Sequence, residues 1–259
     1  MKLIYPLFLL MLLFSACNQQ KSASDSDDNS SSKNITVENL TLFDASRNRE
    51  IPVAVYSPEK NRENAELVVF SHGYGANLGG GNTAYTYLTE FLAAKGYFVV
   101  SIQHELPTDS LLPIGGEVRT VRRSNWERGA KNIHFVINEI KNRYPELNYD
   151  KITLIGHSNG GDKSCLFPEM FPGVVKKIIT LDNRRMPLPR NKKVRVWSLR
   201  SSDQPADEGV LPDEQEKKEY GITIVILPDT PHNAMDDTGT KKQKEEINKY
   251  VLSFLREQR

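Results

Sequence analysis

The spacing of apolar and polar residues changes several times along this chain. ITVENLTLFD (35–44) and IPVAVYSP (51–58) alternate, and the polar ASRNRE between them predicts an antiparallel pair of strands. ELVVFSHG is a short continuous apolar run ending at Gly73, the pattern of a strand buried on both faces. A helix is then predicted over 82–95, stopped by Gly96, followed by a strand at YFVVSIQH. Trp126, Ala130, Ile133, Ile137, Ile140 and Tyr144 recur at helical spacing, with Ser124 and Glu127 set as a capping box at the start. KITLIGHS predicts a strand and a helix after it from about 160. VKKIITLDN, KVRVWSLRSSD and GITIVILPDTPHN predict three more strands, the last running into a loop. Ile247, Val251 and Phe254 share one face of a terminal helix opened by Thr240 and Gln243. Strands alternating with helices imply an α/β fold: one domain with a mainly parallel sheet covered on both faces. In such sheets, functional residues collect at the C-terminal ends of strands.

The first residues follow another logic. Lys2 precedes an apolar run from Leu3 to Phe14, then Ser15, Ala16 and Cys17. A mature membrane-spanning helix needs about 20 residues, so the run reads as an export signal instead. A cysteine directly after FSA resembles a bacterial lipobox, with Phe14 where leucine is most common. That resemblance implies a lipoprotein signal over 1–16 and a lipid on Cys17, hence an exported protein anchored to a membrane of the bacterial envelope. The next stretch, NQQKSASDSDDNSSSKN, has no apolar periodicity, so 17–35 is expected to be a tether and 36–259 the folded domain. Cys165 is the only other cysteine, which leaves no disulfide to expect and reads as a small core residue.

Composition narrows the function classes. With 34 basic and 33 acidic residues, the net charge of +1 gives no footprint for nucleic acid. No zinc-type H-E-x-x-H pattern occurs, and no metal or cofactor is expected. Nothing in the pattern speaks to oligomeric state.

The chemistry concentrates on Gly156-x-Ser158-x-Gly160, between a buried strand and a helix. A tight strand-to-helix turn there strains the serine outward and needs glycine two residues before and after. Ser158 is therefore the candidate nucleophile. Of five histidines, His72 and His157 lie inside glycine turns, where they brace the loop. His134 sits mid-helix and His104 follows too early a strand. His232, in the loop after the last strand, is the candidate base. Asp182 and Asp203 each end a predicted strand, and either carboxylate could orient the imidazole. Asp207, Asp229 and Asp236 are worse placed. The oxyanion donors are expected to be the backbone N–H of Asn159, after the nucleophile, and that of Tyr74, in SHGYGAN.

VVFSHGYGAN, GYFVVSIQHE, KITLIGHSNGG and LDNRRMPLP together resemble the plasma-type platelet-activating-factor acetylhydrolases, over about residue 66 to His232. The resemblance implies an α/β-hydrolase fold and a serine esterase. In that family, and in the similar chlorophyllase group, the acid follows the strand after the nucleophile helix, which here is Asp182. The arrangement common elsewhere in the superfamily implies Asp203. The acetylhydrolases follow their acid with large apolar residues, whereas Asn183, Arg184 and Arg185 stand here, as a rim for an anion or as plain solvated surface. The expected activity is hydrolysis of short-chain or acetyl esters through an acyl-enzyme. The alternatives are a peptidase or acyltransferase on the same triad, or a non-catalytic surface binding protein on this scaffold.

Overall fold

The computed structural model describes residue 1 and residues 34–257. The expected signal beyond residue 1, Cys17 and nearly all of the expected tether lie outside the described residues.

Two alternating segments form the edge of the sheet. β1 (Ile35–Asp44) and β2 (Arg49–Pro58) pair antiparallel over ten residues, from Ile35 opposite Pro58 to Asp44 opposite Arg49. Asn48 takes the left-handed conformation in the turn, one that asparagine tolerates better than most residues. β3 (Glu66–Ser71), β4 (Phe98–Ile102), β5 (Asn148–His157), β6 (Lys177–Leu181), β7 (Arg195–Arg200) and β8 (Thr223–Ile226) are mutually parallel. The order across the sheet is β1-β2-β4-β3-β5-β6-β7-β8.

β3 shows why its four middle residues, Leu67 to Phe70, are all apolar. Leu67 and Val69 point into one core with Trp126, Ile133, Ile140, Leu166 and Phe167. Val68 and Phe70 point into the other, with Leu88, Leu92, Ile247 and Val251. A strand alternates its side chains between faces, so burial on both leaves no place for a polar one. Each such side chain contributes about 1.5–3 kcal/mol by leaving water. The first core lies under α3 (Arg123–Arg143) and α4 (Asn159–Met170), the second under α1 (Thr86–Ala94) and α6 (Lys241–Arg256).

Three local expectations change. The helix expected over 82–95 is a short 3-10 turn, Gly81–Thr83, and then α1. The Asp237 carboxylate accepts from the N–H groups of Thr86 and Tyr87, so α1 is capped from 150 residues away. Ser124 caps nothing: α3 begins at Arg123, directly after a single turn α2 (Val118–Val121), and it is Glu117 that accepts from Arg119 and Thr120 N–H. The strand drawn as far as Asp203 stops at Arg200. α5 (Glu214–Tyr220), with its own capping box of Asp213 and Glu216, was not among the expected elements.

Candidate active site

Ser158 stands between the end of β5 and the start of α4 with φ 51° and ψ −121°. Non-glycine residues rarely take positive φ, and here the glycines explain how the turn closes. A Cβ on Gly160 would lie 2.1 Å from the Ser71 carbonyl oxygen, and one on Gly156 would lie 2.4 Å from that of Gly160. Only hydrogen fits at either position.

Ser158, His232 and Asp182 form one hydrogen-bonded row. His232 Nε2 is 3.0 Å from Ser158 Oγ, and Nδ1 is 2.5 Å from Asp182 Oδ2. Asp182 directly follows β6, itself at positive φ (54°), and is fully buried. Burial alone would raise its pKa. The bond from His232, the Arg200 guanidinium 2.8 Å away and the two bonds from Ser201 outweigh that and hold it below the usual carboxylate range. The carboxylate is thus an acceptor only, so Nδ1 of His232 carries the proton and Nε2 is free to accept from Ser158. Asp203 touches the same histidine elsewhere: its Oδ1 accepts from the His232 backbone N–H at 2.7 Å. The two candidate acids have separate contacts, Asp182 on the ring and Asp203 on the main chain.

The other buried histidines have equally definite tautomers. His157 Nε2 donates to the His232 carbonyl (3.1 Å), so Nδ1 accepts from Tyr85 O–H (2.7 Å), which in turn accepts from Gly73 N–H. His72 Nδ1 donates to the Gly73 carbonyl (2.5 Å), and Nε2 accepts from His104 N–H (3.1 Å). Burial, reinforced by the neighbouring His232, pushes His157 down to about 3. Burial lowers His72 to about 4 against the pull of Glu105. Both rings stay neutral and serve as braces. His104 bonds Ser71 Oγ at 2.9 Å, while His134 stacks on Phe171.

Asn159 is the first residue of α4, where an N–H has no partner within the helix. Tyr74 lines the same cavity, and its hydroxyl accepts from Leu112 N–H. Since the Gly73 carbonyl faces His72, the N–H of Tyr74 across that trans peptide points away from His72. The cavity measures about 450 Å3 and is bordered by Gly73, Gly75, Gly79, Gly80 and Gly81 together with Ser158, His232, Asn233 and Asp236. A larger groove of about 620 Å3 lies at the opposite end of the strands, among Lys151, Lys176, Lys193 and Arg195, far from this chemistry.

Arg184 and Arg185 do not border the cavity. Arg184 bonds Gln204 and the Pro205 carbonyl, and Arg185 pairs with Asp207. Cys165 is a buried free thiol pushed well above its usual range by burial. Among the described residues no cluster of His, Cys, Asp or Glu could hold a metal ion, and no helix is long and apolar enough to cross a membrane.

No family model and no curated protein matches the sequence. Solved structures do match. A Pyrobaculum calidifontis esterase superposes with TM-score 0.62 at 15% identity, over 85% of this chain and 84% of its own. The dienelactone hydrolase-like promiscuous phosphotriesterase P91 from metagenomic libraries gives 0.60 at 13%, over 85% and 97%. A Bacteroides ovatus protein assigned as a dipeptidyl aminopeptidase IV gives 0.58 at 14%, over 85% of this chain, which spans only 35% of that one. The fold is that of the α/β-hydrolases. In this α/β-hydrolase sheet, Ser158 follows β5, Asp182 follows β6 and His232 lies beyond β8. Sequence reasoning missed Arg200, Ser201 and Tyr85. Arg200 left a trace, as a cation closing an otherwise apolar strand; Tyr85 left none, because its partners are 12 and 72 positions away.

Proposed function

We propose that this chain is a serine hydrolase that cleaves carboxylic esters, with short-chain or acetyl esters as substrates. The observation that carries the reading is the row Ser158–His232–Asp182 on a strained turn, with the imidazole tautomer set by a buried carboxylate. Ser158 Oγ attacks the ester carbon while its proton passes to His232 Nε2, and Asp182 stabilises the imidazolium. The backbone N–H groups of Asn159 and Tyr74 donate to the oxyanion of the tetrahedral intermediate. Its collapse expels the alcohol, which takes the proton from His232. Water then gives a proton to the same nitrogen as it attacks the acyl-enzyme, releasing the acid and restoring Ser158.

The small, glycine-bordered cavity favours short acyl groups, since Ala84, Tyr74 and Tyr85 are its main apolar surface. We also propose residues 1–16 as a lipoprotein signal and Cys17 as the anchor to an envelope membrane, resting on the sequence pattern alone.

A fluorophosphonate probe tests the enzyme reading. Ser158 should gain the phosphonyl mass and Ser158→Ala should not. An unlabelled wild-type protein would leave a non-catalytic binding scaffold. A panel of p-nitrophenyl esters, acetylated sugars and aminoacyl amides then separates esterase from peptidase.

A further inference from the structure

Behind the cavity lies a charged cluster that the proposed reaction does not use. Glu105, three residues past the end of β4, is 1% exposed, and Lys163, on the first turns of α4, is 0% exposed. Lys163 Nζ is 2.5 Å from Glu105 Oε1. Burial would raise the Glu105 pKa, but the charge of Lys163 and the bonds from Lys163 and Asn125 hold it below the usual range, so it is ionised. A buried ion pair is rarely worth more than an apolar pair of the same volume, so stability alone gives little reason for this one. Room has been made for it nonetheless. Gly129 sits inside α3, where glycine is less favourable than alanine, and a Cβ there would lie 2.4 Å from Lys163 Cδ.

The cluster reaches the start of α4. Glu105 Oε1 also accepts from Asn125 Nδ2 (3.1 Å) and Asn159 Nδ2 (3.3 Å). Asn159 Nδ2 donates to Asn125 Oδ1 as well, and Asn159 Oδ1 accepts from Trp126 Nε1 at 2.8 Å. An indole N–H only donates, which fixes the orientation of the amide. The side chain of the residue that bears one oxyanion donor is therefore held on both its polar atoms. His72 stands apart from this network: its Nε2 accepts from His104 N–H and makes no hydrogen bond with Glu105 Oε2, 3.8 Å away. Gln103 ties in the rest of the loop: its Nε2 donates to the Glu105 carbonyl and its Oε1 accepts from Gly81 N–H.

We infer that Glu105 is a positioning residue, the anchor of a buried network that holds Asn159 and with it one backbone donor of the oxyanion hole. The inference rests on the serine-hydrolase reading above. The network touches neither Ser158 Oγ nor the His232 ring, so it acts on the developing oxyanion and not on proton transfer. Lys163 keeps the anchor charged, and Trp126 holds the other polar atom of the Asn159 side chain.

The test compares two ligands of one shape. A trifluoromethyl ketone adds Ser158 Oγ to its carbonyl carbon; the serine proton goes to His232, and the carbonyl oxygen becomes an oxyanion in the hole. The corresponding methyl ketone binds without that addition. Glu105→Gln, and the double change Glu105→Gln with Lys163→Met that removes both charges, should lower the acylation rate of p-nitrophenyl acetate about thirty- to hundredfold, below the 10²–10³ of deleting a donor outright. Rates are counted per active site titrated by the nitrophenol burst. The inhibition constant of the trifluoromethyl ketone should rise by the same factor while that of the methyl ketone stays within about twofold, a split that loss of folded protein does not produce. Trp126→Phe, which keeps a ring and removes one bond to Asn159, should move both quantities the same way by about three- to tenfold, and it decides the matter if the Glu105 variants do not fold. Unchanged rates per site in the folded variants, or equal changes for the two ketones, would overturn the inference. A wild-type protein with no burst and no preference for the trifluoromethyl ketone would instead sink the hydrolase reading itself.

Discussion

Replacing each of the two aspartates near His232 by asparagine separates their roles. Asp182 accepts hydrogen bonds from His232 Nδ1–H and from the N–H and O–H of Ser201 and pairs with the Arg200 guanidinium, and all of these groups need an acceptor. Asparagine offers one oxygen and turns an NH2 toward one of these donors. With Ser201 and Arg200 competing for that oxygen, the NH2 faces the imidazole, which must then protonate Nε2 and can no longer accept from Ser158. The equivalent exchange in a serine protease triad lowers kcat by about ten-thousand-fold, or about 5.5 kcal/mol of transition-state stabilisation, and the same is expected here. Asp203 gives one bond, to the His232 N–H at 2.7 Å. Asparagine retains an oxygen for it and loses only the charge assistance, about 1 kcal/mol, so kcat for Asp203→Asn should fall no more than about fivefold. Burst-titrated kcat on p-nitrophenyl acetate, with circular dichroism to verify folding, measures both. The reasoning fails if Asp182→Asn retains kcat within about tenfold of wild type, or if Asp203→Asn is the more damaging change.

Two further outcomes follow from the folded chain and from the first residues. His72 and His157 are neutral when folded, at about 4 and about 3, but titrate near the ordinary histidine value of about 6.5 when unfolded. Between about pH 6.5 and 4.5 the unfolded chain therefore binds more protons, so stability falls as pH falls, by about 1.4 kcal/mol per unit for each ring. Urea midpoints should drop across that window and stay level above about pH 7; an unchanged midpoint at about pH 4.5 would contradict the buried neutral rings. For the anchor, Cys17→Ser should move the protein from the membrane fraction to the soluble fraction of fractionated cells, and continued sedimentation with membranes would refute lipidation there.

How much could be read beforehand depended on how local each cause was. The strands were legible because burial on both faces forces unbroken apolar runs, as at Leu67 to Phe70. Ser158 stood out because the turn around it excludes a Cβ at both flanking glycines. The acid stayed a choice because a strand-end carboxylate looks the same whether it meets an imidazole edge or a backbone N–H. Helix starts were the poorest reading. α1 takes its cap from Asp237 and α3 continues from a turn capped by Glu117, so neither start is set where Ser124 or residue 82 suggested. The same holds for the Glu105 cluster, whose members lie up to 58 positions apart and meet only in the fold.

The pairing at the edge of the sheet also has a mechanical meaning. Ile35 lies at the end of the strands remote from Ser158, opposite Pro58, and β2 is the one strand that β1 pairs with in the sheet. Ladder bonds run perpendicular to the strands, so a tug transmitted through residue 34 along β1 loads the whole ladder in shear instead of peeling it bond by bond. β4 and β3 stand between that ladder and β5. A chain held by its first residues would take strain at one rim of the sheet, and the serine at the far end of β5 would be insulated from it.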